Sequence, residues 1–198
     1  MSQRNYLRIF FCSVIMTGIL SMGVLYHSAI AVQPVNHLKE SIDSLQKILQ
    51  NESLAREEIK AHINEKIDRL FDFREMARLV LGKYWDLNPS KQDEFVLAFS
   101  GFLNRLYFSH VDKLKNAHVK IISESTGIRK SQVKIELQAQ TTYELDVSMH
   151  MVEGHWVIYD INFEGISLIH VFRAQFARRL KQGSIDDLIK EIREKKNT

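Results

Sequence analysis

From Val119 to Phe163 the apolar residues of this chain recur at every second position, while on either side they recur at every third and fourth. The alternation runs from Gln132 to Gln140 through Val133, Ile135, Leu137 and Ala139, and again from Tyr143 through Leu145, Val147, Met149 and Met151. Glu153-Gly154 supplies a hairpin turn into a third run, Trp156 to Phe163, and a weaker run around Val119 to Ile122 precedes them all. No helical stretch separates these runs, and strands joined by a few residues can pair only antiparallel. The alternation also implies that each strand buries one face and wets the other. The expected fold is therefore α+β, an antiparallel sheet of about four strands with one face covered by N-terminal and C-terminal helices and no βαβ unit.

The flanking helices can be read one by one. Val35, Leu38, Ile42, Leu45 and Leu49 form an apolar stripe, and a more charged helix follows from Ser53 to about Leu70. Asp72 and Glu75 have the spacing of a capping box, and Gly82 stops a short apolar helix through Met76, Leu79 and Val80. Asn88-Pro89 opens the longest helix, which Phe95, Phe99, Phe102, Leu103, Leu106 and Tyr107 carry to about Leu114. After Gly165, the spacing of Leu168, Val171, Phe172, Phe176 and Leu180 gives a helix ending near Gly183, and Ser184 with Asp187 starts the last one.

The first 31 residues have a different character. Arg4 and Arg8 precede an uncharged run from Ile9 to Tyr26, and Ala29-Ile30-Ala31 fits an A-x-A cleavage site before Val32, the layout of an export signal. An 18-residue run also just suffices to span a bilayer, so an uncleaved anchor is the alternative. Ser13, Thr17, Gly18, Ser21 and Gly23 dilute the run and favour cleavage. Residues 1–31 are read as a signal peptide and 32–198 as a single domain of 167 residues, long enough for a real core. Either way the positive flank stays cytoplasmic and the rest is translocated. Cys12, the only cysteine, lies inside the signal run behind Phe10-Phe11, which argues against a lipoprotein and leaves no disulfide in the mature chain. The signal removes two arginines and no acid, so 25 basic residues face 24 acidic ones, without the excess that binding nucleic acid requires.

Phe71, Phe73, Tyr84, Trp85, Phe95, Phe99, Phe102, Tyr107 and Phe108 are nine of the mature chain's fifteen aromatics, all within 38 residues. Two helices so crowded with rings could pack against the strand face of Val147, Met149 and Met151. Such a layer is either a plain core or a core with an apolar gap able to hold a ligand. Catalytic signals are poor: there is no G-x-S-x-G, H-E-x-x-H, cysteine nucleophile or glycine-rich phosphate loop. Asp160 and Glu164 bracket a strand end, where carboxylates ordinarily cap turns. His150 and His155 could meet diagonally across a hairpin, yet no third metal ligand accompanies them. Lys190, Arg193, Lys195 and Lys196 read most simply as a solvated terminal helix, with weak docking on anionic lipid headgroups as the alternative.

Two blocks of the chain resemble a known family. Leu79-Val80-Leu81-Gly82-Lys83-Tyr84-Trp85 with Asn88-Pro89-Ser90-Lys91-Gln92, and the spaced text W-x-x-Y-D-x-x-x-E-G-x-S from Trp156 to Ser167, are similar to MlaC-like phospholipid-binding proteins, also called the toluene-tolerance family. Phe172 to Phe176 and Gly183 to Ile189 extend the similarity, which covers most of 35 to 195. The resemblance implies a curved, cystatin-like or NTF2-like sheet wrapped by helices, with acyl chains between them. It implies a periplasmic monomer that shuttles phospholipid between an inner-membrane ABC transporter complex, with its substrate-binding subunit, and an outer-membrane lipoprotein/porin complex, maintaining outer-membrane lipid asymmetry. No enzyme activity, metal or cofactor is implied, the phospholipid being cargo. A hopanoid-type cargo and an NTF2-like enzyme built on Tyr159 and Asp160 are the alternatives. The segment from Ile122 to Val152 is compact where some relatives are longer, which bears on docking by those loops. The candidate lipid-facing residues are Val80, Tyr84, Phe99, Leu103, Tyr107, Val147, Met149, Ile161, Phe163 and Val171.

Overall fold

Each alternating run becomes a strand in the structure, a computed structural model that describes residues 33–108, 115–139 and 141–194, with Tyr107 and Phe108 as backbone only. The signal reading of residues 1–31 lies outside the described residues. Strands β1 (His118–Thr126), β2 (Lys130–Gln138), β3 (Thr142–Val152) and β4 (His155–Phe163) pair antiparallel in chain order, and a short β5 (Ile166–Ser167) adds to β4. The fifth strand was not expected. Glu164 and Gly165 form a turn at positive φ, 50° and 83°, that folds back only two residues, too few to show a period. Strand β1 is longer than its weak sequence signal because most of its residues are exposed.

Two bulges bend the sheet. Ile122 has no partner between Ile121 and Ser123 on β1, and Tyr159 has none on β4, where Met149 faces Ile158 and Ser148 faces Asp160. An extra residue on one strand increases local twist and curvature, and the open five-stranded sheet is curved accordingly.

Among the described residues seven α-helices surround the sheet: α1 (Pro34–Gln50), α2 (Arg56–Leu70), α3 (Phe73–Leu81), α4 (Lys83–Leu87), α5 (Gln92–Phe108), α6 (Leu168–Leu180) and α7 (Ile185–Glu194). The anticipated caps form. The Asp72 carboxylate accepts the Glu75 N–H at 2.9 Å, and Ser184 and Asp187 exchange bonds of 3.1 and 3.0 Å between side chain and backbone. Helix α2 starts three residues later than expected, at Arg56. Asn51 Oδ1 accepts both the N–H and the hydroxyl of Ser53, an Asx turn that holds the chain out of the helix, and Glu58 accepts the Ala55 N–H at 2.8 Å. The Asn88-Pro89 helix is preceded by the unforeseen α4 and opens with a 3-10 turn (Pro89–Lys91); its expected end at Leu114 lies outside the described residues.

The apolar side chains gather in two cores. In the sheet core, Val133, Ile135, Val147, Met149, Trp156 and Ile158 are covered by Leu38 of α1, with Val35 and Ile42 beside it, and by Leu70. In the helical core, α2, α3, α5, α6 and α7 bury Phe95, Phe99, Phe102, Phe172 and Phe176 among aliphatic side chains. This corrects one expectation: the aromatic helix α5 packs on α6, edge to face, rather than on the Val147 and Met149 strand face. Ring centroids lie 5.9 Å apart for Phe95 and Phe176, 5.6 Å for Phe99 and Phe172, and 5.5 Å for Phe102 and Phe172, at interplanar angles of 89°, 83° and 85°. Periodicity told which faces are apolar but not that α1 would take the sheet.

Candidate functional site

The structure divides the candidate lipid-facing residues between the two cores. Val80, Phe99 and Leu103 are at most 1% exposed in the helical core, with Tyr84 packed at its margin. Val147 and Met149 lie in the sheet core, with Ile161 at its margin. Phe163 and Val171 are 44% and 36% exposed, and the Phe163 ring lies tilted against Tyr143 with centroids 5.2 Å apart. The Tyr107 side chain lies outside the described residues.

The chain crosses from one core to the other within four residues. Leu70 belongs to the sheet core, Phe73 to the helical core, and Phe71 packs against both, its ring stacked on Phe73 at 5.8 Å. Here α2 ends and α3 begins, and the break exposes a backbone amide that the sheet takes up. The Asp72 N–H donates to the Ile158 carbonyl at 2.8 Å, and Phe71 bridges Ile158 in parallel. The Asp72 carboxylate caps α3 with one oxygen and meets His150 Nε2 of β3 at 2.9 Å with the other. The His150 ring leans on Tyr159, the bulge residue, at 5.1 Å. Residues 70–73 are thus the seam between sheet and helices; the sequence named Asp72 as a cap and Phe71 and Phe73 as core aromatics, but not the junction they make.

Asp160 and Glu164, weighed for chemistry, have structural partners. Asp160 Oδ2 accepts the Ser167 hydroxyl at 2.6 Å and Oδ1 accepts the Ile169 N–H at 3.1 Å, while Ser167 accepts the His170 N–H. An acceptor at the first turn of α6 satisfies amides that the helix cannot. Glu164 accepts the Glu144 N–H at 3.2 Å. His150 faces Val157 and His155 faces Val152 across the ladder, which leaves the two histidines diagonal to each other, and His150 bonds Asp72. Burial holds His37 below the usual histidine range; Glu40 opposes that effect and the His155 charge adds to it. Among the described residues no three histidine, cysteine or acidic side chains are grouped to hold a metal.

A cavity of about 370 Å³ opens between α5, α6 and α7. Phe102, Phe172, Phe176 and Ile192 make its floor, and Gln175, Arg178, Arg179, Gln182 and Glu191 its rim. Arg179 bonds Glu191 across the mouth at 3.0 Å. Among the described residues, none of the candidate lipid-facing ones lines it. The i, i+4 pair Phe172 and Phe176 was legible as a helix face, but only the spacing of α5 and α7 reveals a gap beside it. An exposed clasp also joins the start of α5 to α7. Lys91 meets Asp186 and Glu94, and Arg193 meets Glu94 at 3.0 Å. Bonds to Asp186 and then Glu94 hold Lys91 above its ordinary range, and the bond from Lys91 chiefly holds Glu94 below its own.

Among the described residues no helix is long and apolar enough to cross a membrane. A sequence profile of the family described as MlaC protein matches residues 39–194. No curated protein sequence matches the chain. Among solved structures, the fold is similar to that of a phospholipid-binding protein from Ralstonia solanacearum determined in complex with a phospholipid. The TM-score is 0.71 at 20% identity, with 80% of this chain and 93% of that one covered.

Proposed function

Since this chain belongs to the MlaC family across residues 39–194, we propose that it is a non-enzymatic carrier of phospholipid in the periplasm. In this reading it takes acyl chains out of water and passes them between an outer-membrane lipoprotein/porin complex and an inner-membrane ABC transporter complex. The family match is the observation that carries the reading. The structural partners of Asp160, which caps the first turn of α6, and of Glu164, which holds a strand-end amide, are in keeping with it.

The physics sets the terms of such a carrier. A two-chain lipid with roughly 30 methylenes would expose about 24 kcal/mol of apolar surface in water, so nearly all of it must be hidden. The bilayer interior is equally dry, so burial alone gives little net pull from membrane to protein and direction must come from the partners. The chain has no glycine-rich phosphate loop, so any ATP is spent elsewhere. A cavity of about 370 Å³ falls at the small end of the roughly 300–1,000 Å³ of ligand pockets. Two acyl chains need more. We place them at the seam, where parting the sheet core from the helical core around Phe71 would bring Val147, Met149 and Ile161 to face Val80 and Tyr84 across one apolar space. The headgroup then stays near water, since burying an unpaired phosphate is costly.

Organic-solvent extraction of the purified protein followed by mass spectrometry should release phospholipid. An extract free of lipid would refute the carrier reading, and a polycyclic lipid would redirect it to hopanoid-type cargo. Val147→Glu should abolish co-purified lipid. Because Val147 is only 3% exposed and a charge there also strains the fold, the half-buried Ile161→Glu serves as its companion, with circular dichroism separating lost lipid from lost structure. A folded Ile161→Glu protein that keeps its lipid would rule out the seam as the site.

A further inference from the structure

The groove between α5, α6 and α7 is amphipathic in one direction. At its base the rings of Phe102, Phe172 and Phe176 are 5% to 7% exposed, so each shows only an edge to the space, and Ile192 closes one side. At its mouth stand two guanidiniums and one carboxylate, with the Gln175 and Gln182 amides beside them. Glu191 is already taken by Arg179. Arg178 has no hydrogen-bond or ion-pair partner among the described residues, so the mouth carries one uncompensated positive charge. An apolar floor under a net cationic rim suits a molecule with one greasy end and one anionic end. Size narrows the class. At about 30 Å³ per water-sized group, a space of about 370 Å³ holds roughly a dozen non-hydrogen atoms, one medium chain and not two.

We propose that this groove is a second ligand site, separate from the seam at Phe71, that takes a single-chain anionic amphiphile with its tail on the three phenyl rings and its head on Arg178. A carboxylate head, as in a free fatty acid, and a phosphate head, as in a lysophospholipid, share the chemistry the rim reads. A product that has lost one acyl chain could thus be held apart from an intact two-chain lipid.

Calorimetric titration of the purified protein with dodecanoate, dodecyl phosphate and uncharged dodecyl maltoside, each below its micelle concentration, tests the proposal. One equivalent of either anion should bind, and the maltoside at least about ten-fold more weakly, because a hydrogen bond to a charged head is lost. Tighter binding of the carboxylate would identify a fatty-acid site, and of the phosphate a lysophospholipid site. Arg178→Glu, an exposed change that leaves the core intact, should cut both affinities about ten-fold or more. Gln175→Trp should do the same by filling the groove, and neither variant should alter co-purified phospholipid. Unchanged affinity in both variants, equal binding of the maltoside, or displacement of co-purified phospholipid by dodecanoate would overturn the second site. A lipid-free protein that still binds dodecanoate would sink the carrier reading and leave this one standing.

Discussion

Gly82 is held by its backbone angle. Its φ of +54° with ψ of −125° is backbone that a side chain resists, and a Cβ there would meet the Arg173 guanidinium at 2.9 Å. The end of the flexible Arg173 side chain can move aside, so the C-terminal stop of α3 rests on the backbone angle that glycine allows. Gly82→Ala should cost about 1–3 kcal/mol in urea unfolding. Gly101, inside α5, has the opposite sign: a Cβ there makes only an ordinary 3.5 Å contact with Arg105. Gly101→Ala should stabilise by roughly 0.5–1 kcal/mol, and equal losses at both glycines would show that neither backbone angle nor close approach decides the effect. His37 gives a residue-scale pH dependence. Its folded pKa lies below the ordinary histidine value, first through burial and secondarily through the His155 charge. A depressed histidine means that the unfolded chain binds more protons in the interval between the two values. Stability is therefore fully present above the ordinary value of about 6.5 and is lost as pH falls through the lowered one. Melting temperatures from pH 7.5 to 5 should decline, and less steeply in His37→Gln. Identical slopes in the two proteins would assign the acid sensitivity to other groups.

At the scale of elements, Asp72 is the pivot. It caps α3, pairs with His150 and gives its own N–H to Ile158, so a single residue ties a helix end to two strands. Losing the cap costs about 1 kcal/mol and losing the His150 contact about 1 more, so Asp72→Ala should destabilise by roughly 2 kcal/mol. In a double-mutant cycle with His150→Ala the coupling should be about 1 kcal/mol, and a coupling near zero would mean that the contact is geometric only. The capping half of this role was readable from the Asp72–Glu75 spacing; the His150 half was not, because nothing local links residues 78 apart in sequence. The same division runs through the fold. Alternation located β2, β3 and β4, and stripes located α1, α3, α5 and α6, because these depend on the residues' own faces. The bulges at Ile122 and Tyr159, the short α4 and the two-residue β5 went unread, since none is long enough to repeat the period that would reveal it. For the site, burial of Val80, Phe99, Leu103, Val147 and Met149 was legible, but their partition into two cores was not. A pattern says that a side chain is covered, not by which element.

At the scale of the whole molecule, the two cores differ in how they are held. The sheet core rests on three long ladders, β1 with β2, β2 with β3 and β3 with β4, whose backbone bonds must break together. The helical core rests on interleaved aromatic and aliphatic side chains and on clasps such as Arg105 Nη2 to the Ile192 carbonyl at 2.7 Å. Between them, residues 70–73 contribute one inter-core backbone bond, from Asp72 to Ile158, with Asp160 anchoring α6 beside it. A cargo that needs more room than the groove offers should therefore open the molecule along this seam, at the cost of its one backbone bond, and leave the three ladders paired. Hydrogen exchange read by mass spectrometry on lipid-loaded and delipidated protein resolves this. Loading should speed exchange at the Asp72 amide and leave Ile135 and Leu145, paired inside the β2–β3 ladder, unchanged. At a ligand concentration of about 100 times Kd, the loaded protein should at the same time be about 2.7 kcal/mol more stable overall. A seam that loosens while the whole is stabilised distinguishes cargo binding between the cores from general softening. If loading instead protects residues 70–73, or leaves them untouched while slowing exchange in α6 and α7, the tails lie in the groove and the cores never part.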